Sequence, residues 1–105
     1  MQFPDVILQF IRAYSVKDAI TGSFRWFGAF SQDTKDNVEL MKTKLNMPVL
    51  TMGGQYFAAA FLKDHTKIVA NDVHETNIPN SGHWLVQENT AAVQKGLLEF
   101  FLERK

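Results

Sequence analysis

Met47-Pro48-Val49-Leu50-Thr51-Met52 is a continuous apolar run closed by Gly53-Gly54, and it constrains the fold more than any other stretch of the chain. A strand wetted on one face alternates apolar with polar residues. An unbroken run fits a strand covered on both faces, as in the parallel sheets of α/β proteins. Helical spacing follows from Phe57 to Ala70 through Phe61, Leu62, Ile68 and Val69, and Val73 to Ile78 then alternates like a second strand. Pro79 ends it. A helix between two strands makes a crossover, and crossovers join parallel pairs. The strands over 49–52 and 73–78 are therefore expected to lie side by side and parallel.

The N-terminal part reads as helices. Pro4-Asp5 starts one, with Val6, Ile7, Phe10, Ile11 and Tyr14 on its apolar face. Ser15 is the expected cap of a second, which carries Ala19, Ile20, Phe24, Phe27 and Phe30 around Gly22 and Gly28. Ser31 and Asp33 open a third, running to about Lys44 with Val38, Met41 and Leu45 on one face. At the other end, 90–102 forms an amphipathic helix with Ala91, Val93, Leu97, Leu98, Phe101 and Leu102 expected inward. No repeat or low-complexity linker interrupts the order.

Two buried-type strands leave a puzzle, because a two-stranded sheet has open edges and cannot cover its own faces. The chain reads as the end of a larger α/β domain. With 105 residues there is room for one small domain or part of a bigger one. Eleven basic and eleven acidic residues cancel, which argues against nucleic acid or a membrane surface as partner. No apolar run spans a bilayer, and the N-terminus lacks a signal-peptide pattern, so a cytoplasmic location is the expectation. The absence of cysteine removes disulfides and thiol catalysis together.

One histidine stands in a setting suited to chemistry. Asn80-Ser81-Gly82-His83-Trp84-Leu85 places His83 on an expected glycine turn between the second strand and the C-terminal helix. Imidazole takes and returns a proton near neutral pH. The group it would activate is missing: there is no cysteine, no Gly-x-Ser-x-Gly elbow, and no aspartate on a strand-to-helix turn.

The sequence from Leu45 to Gly54, followed by Ile78-Pro79-Asn80-Ser81-Gly82-His83-Trp84-Leu85, resembles the C-terminal part of α/β-hydrolases of the epoxide hydrolase and haloalkane dehalogenase branch. Gly22-Ser23-Phe24-Arg25-Trp26-Phe27-Gly28-Ala29-Phe30 resembles the end of that group's helical cap, and Asp36-Asn37 fits the pattern after it. The resemblance implies a cap remnant and connecting helix over 1–45 and the C-terminal part of the hydrolase core over 46–105. It also implies a mechanism. The complete enzyme would take a small-molecule epoxide, haloalkane or ester; with an epoxide or haloalkane an aspartate attacks the carbon and forms a covalent ester, which water activated by a histidine hydrolyses. His83 matches that histidine, and Phe27 and Trp84 match substrate-lining positions. Phe27 stands where the family commonly has a proton-donating tyrosine, and Gly28 follows where an arginine is common. The turn after the first strand carries Gln55-Tyr56-Phe57, with no carboxylate before Asp64, where many members hold the acidic partner.

Other residues have plainer expected roles. Trp26, Phe24 and Phe30 read as core, His65 as solvated and His74 as a surface or edge residue of the second strand. Asp72 and His74 could share a strand face, but no spacing among the histidines and acids matches a metal site, and no cofactor is implied. Gly53-Gly54 lacks the phosphate-loop frame and reads as a strand-end turn. Without nucleophile or oxyanion hole the isolated chain is expected to be inactive. The alternative is a non-catalytic module that binds a partner, or a second copy of itself, through its exposed apolar cap face or an exposed strand edge.

Overall fold

A computed structural model describes residues 3–102, which fall into two compact units divided between Glu39 and Leu40. The first is helical: α1 (Phe3–Tyr14), α2 (Ala19–Gly28) and most of α3 (Phe30–Leu40). The second contains β1 (Leu45–Gly54), α4 (Leu62–Thr66), β2 (Ala70–Ile78), α5 (Leu85–Glu88) and α6 (Thr90–Leu102).

In the helical unit α1 lies against α2. Ser15 does not cap α2 as expected. Its hydroxyl donates back to the Ile11 carbonyl at 2.6 Å and closes the last turn of α1. Asp18 precedes α2 instead, in the left-handed conformation (φ 64°), which a short polar side chain tolerates better than most. Only Ala29 separates α2 from α3, and its carbonyl accepts from Gln32 and Asp33. Ser31 therefore lies inside α3. That helix stops at Leu40, short of Lys44, because Leu45 is drawn into the sheet: its N–H donates to the Val69 carbonyl at 2.8 Å.

β1 and β2 pair in parallel, as the spacing predicts, with Val49 opposite Val73 and Gly54 opposite Ile78. The register shifts between Leu45 and Pro48, where proline has no N–H for the ladder. The strand expected to be covered on both faces is covered mainly in its carboxyl half. Leu45 and Met47 are exposed, Val49 and Leu50 half-buried, and Thr51, Gly53 and Gly54 buried. The crossover is less helical than its spacing predicts: residues 55–61 form turns, and α4 occupies only five residues.

α6 buries only part of the face expected. Val93 is buried as expected, with Gly96, and Phe100 is half-buried, whereas Ala91, Leu97, Leu98, Phe101 and Leu102 are exposed. Both sides of this helix are apolar, so periodicity cannot choose between them. Close approach does: a Cβ on Gly96 would come within 3 Å of Met52 Cε and Thr76 Cγ2, so a larger residue there would make these side chains shift. The buried residues Ala58, Ala70, Ile78, Val93, Thr51 and Ser81 all belong to this second unit. No helix among the described residues is long and apolar enough to cross a membrane.

Candidate functional site

The loop after β2 is tied down at almost every residue. Ile78 is fully buried at the end of the strand, and its carbonyl accepts from the Gln55 N–H at 3.0 Å. The Pro79 carbonyl accepts from the Asn89 side-chain amide at 2.9 Å, and the Asn80 N–H donates to Gln55 Oε1 at 2.9 Å. Ser81 is fully buried, and its carbonyl accepts from the Tyr56 N–H at 3.0 Å.

The sharp bend falls elsewhere than the sequence predicts. Gly82 does not have positive φ; Asn80 does, at 52°. The glycine that the loop requires is Gly54, at the end of β1. A Cβ there would lie 2.0 Å from the Gly82 carbonyl oxygen and 2.6 Å from that of Ser81. The loop crosses the strand end at a distance that leaves no room for a side chain. Gly53-Gly54 is thus a crossing point as well as a strand end.

His83 follows the carboxyl end of β2, beside the end of β1, and is exposed. Open α/β sheets place their ligands at this end of the strands. The imidazole meets Phe57 edge-on (centroids 4.9 Å apart, planes at 83°) and Trp84 in the same manner (5.2 Å, 88°). Phe57 is brought there by the turn after β1, where its N–H donates to the Gly54 carbonyl at 3.0 Å. The loop's own carboxylate, Glu88, accepts from the N–H of Gly82 at 2.6 Å and from that of Trp84 at 3.0 Å. Sequence reasoning passed over Glu88. Its signal was a glutamate one turn into a short helix, where a carboxylate can reach back to the N–H groups that precede the helix.

Trp84 is thus next to His83 in space as well as in sequence, while Phe27 belongs to the helical unit, with its ring 5.4 Å from Phe30 and 6.4 Å from Phe24. Trp26, Phe24 and Phe30, expected in the core, are exposed, Trp26 by 81%. A cleft of about 350 Å³ lies near the strand ends, lined by Gln55, Ala59, Ala60, Asn77, Ile78 and Pro79.

The remaining histidines serve other contacts. His65 is exposed against Phe61, their ring centroids 5.3 Å apart. His74 is half-buried on β2, with Nε2 2.6 Å from Asp72 Oδ1 and its ring 5.9 Å from that of Phe100. Asp72 and His74 do share a strand face, and among the described residues no third histidine, cysteine or acid joins them as a metal-binding group. Asp64 is hydrogen-bonded by Lys67 at 2.9 Å, and this bond with the lysine's charge holds its carboxyl below the ordinary value of 3.8.

No family model matches the chain. It is 25% identical over 95 residues to a soluble epoxide hydrolase of Corynebacterium sp. (strain C12), a match that covers 90% of this chain and 33% of that protein. The crystal structure of wild-type Cfl2 from Burkholderia cenocepacia shares the fold, with a TM-score of 0.85 and 24% identity over 96% of this chain and 34% of that one. The chain spans about a third of the length of each. These likenesses and the parallel strand pair support an α/β-hydrolase-like relationship.

Proposed function

We propose that this chain is the C-terminal portion of an α/β-hydrolase of the epoxide hydrolase type and supplies its water-activating histidine. The observation that carries this reading is an exposed His83 on a loop pinned beside the carboxyl ends of two parallel strands. Residues 1–45 are the cap remnant and 46–105 the end of the core. The substrate is a small epoxide, haloalkane or ester. With an epoxide or haloalkane, an aspartate from elsewhere in the fold attacks the substrate carbon, opening the ring or expelling the halide, and forms an ester. His83 then removes a proton from water, and the resulting hydroxide cleaves the ester and frees the aspartate. Trp84, beside His83, contacts the substrate in this reading, and Phe27 keeps the position where the resemblance puts a pocket residue; a phenyl ring there has no proton to donate, so an epoxide oxygen must receive one elsewhere.

The chain alone is inactive in this account, because it has neither the nucleophile nor the oxyanion hole. The test is a hybrid in which residues 1–105 replace the matched region of the Corynebacterium hydrolase. The hybrid should consume an epoxide, and the 105-residue chain should not. A folded hybrid with no turnover would reject the catalytic reading. The second reading, a non-catalytic module that binds through its strand edge, is favoured by the exposed Leu45 and Met47 on β1. Sedimentation of the free chain addresses it: self-association is expected, and a monodisperse monomer would count against it.

A further inference from the structure

We propose that Glu88 is the positioning residue of His83, a role that rests on the reading of His83 as the water-activating base. Its two carboxylate oxygens are divided between the peptide groups on either side of the histidine: Oε2 takes the Gly82 N–H at 2.6 Å and Oε1 the Trp84 N–H at 3.0 Å. The first is as short as a charge-assisted bond, and the second has the ordinary N–H···O length. One side chain thereby restrains the backbone before and after residue 83. The restraint closes on itself, because the Glu88 backbone N–H donates to the Trp84 carbonyl at 2.9 Å. Glu88 is thus anchored to the residue that it holds.

Among the described residues the imidazole finds no such anchor. Its ring contacts are edge-on encounters with Phe57 and Trp84, which fix a plane only while the backbone stays in place. A base that must reach one water molecule depends on that placement, and a shift of an ångström is enough to lose much of the rate. Glutamine cannot replace the carboxylate. It offers one acceptor oxygen, and its NH₂ would face the other N–H donor, leaving that donor without a partner.

The first test uses the chain as it is and needs no activity. NMR of the wild type should show His83 ring protons displaced by the rings of Phe57 and Trp84. In Glu88→Ala they should move toward free-histidine values, while signals of Thr51, Ile78 and Val93 stay in place. Added acetate, entering the space between the two N–H groups, should restore part of the displacement in Glu88→Ala and none in Glu88→Gln. If Glu88→Ala does not fold, Glu88→Gln decides: moved His83 signals in a folded protein support the proposal, and unmoved ones overturn it. Unmoved signals in a folded Glu88→Ala, or no response to acetate, would also overturn it.

The second test uses the hybrid hydrolase. Glu88→Gln should slow ester hydrolysis by about 10- to 100-fold and leave ester formation unchanged. Equal loss in both steps would mean a merely structural role. If the NMR result holds while His83→Ala leaves hydrolysis intact, the catalytic reading fails and the positioning stands. If the NMR result fails, Glu88 alone is misassigned.

Discussion

The helical residues up to Glu39 and the sheet-bearing residues from Leu40 are held together by different means. In the first group the side-chain hydrogen bonds of Ser15, Ser23, Gln32 and Thr34 each reach four residues along the same segment. None of its residues from Pro4 onward is buried. In the second, bonds join residues far apart in sequence: Lys44 to the Lys67 carbonyl, Thr51 to the His74 carbonyl, Asn71 to Asn46, and Gln55 to the Asn80 backbone. In the helical unit the local bonds define helices and no more. Long-range bonds cost more chain entropy to close, and one of them, from Gln55 to the Asn80 backbone, combines with the short-range grip of Glu88 on Gly82 and Trp84 to hold the His83 loop.

Alanine at glycine positions breaks this comparison most sharply. Gly54→Ala sets a Cβ against two backbone carbonyls that cannot rotate away. It is expected to cost about 3 kcal/mol or more, and to lower the melting temperature by roughly 10 °C or more. An unchanged melting curve would mean that the loop does not cross where described. Asn80→Ala is next: a residue without a local polar side chain at φ 52° costs about 1–2 kcal/mol, measurable by urea titration. Gly22→Ala should act in the opposite direction. Space around Gly22 is open and it lies within α2, so alanine should add about 0.5–1 kcal/mol of helix stability, seen as raised helicity by circular dichroism.

The smallest effect concerns the exposed Asp64–Lys67 pair. Lys67 lowers the Asp64 pKa in the folded state, so its contribution is present above the unfolded value and is lost as pH falls below about 3.8. Asp64→Asn should leave the melting temperature near pH 7 almost unchanged, because exposed ion pairs add little. An NMR titration of wild type should find the Asp64 midpoint below the ordinary carboxylate value; one above it would contradict the pairing.

The strand pair was legible because its signals are local and strong: an apolar run, a helical interval, an alternating run and a proline. Helix ends were less so. Leu45 fits the apolar face of α3 by spacing, yet its backbone joins β2 across a gap that spacing does not reveal. His83 was found through the residues around it, but Gly54, which makes room for its loop, and Glu88, which grips it, act through contacts that only the folded chain brings together. Gly82 attracted notice as the turn residue, while Asn80 takes the left-handed conformation. A glycine's neighbours in sequence do not tell which backbone passes over it.

The role of His83 itself is tested most directly by trapping the intermediate. In the hybrid hydrolase, wild type and His83→Ala would be mixed with an epoxide and quenched, and the mass of the nucleophile-bearing peptide measured over time. The account predicts a transient ester in the wild type and a stable, near-stoichiometric ester in His83→Ala, because the aspartate can still attack but water is no longer activated. A His83→Ala hybrid that clears the ester as fast as the wild type would contradict it.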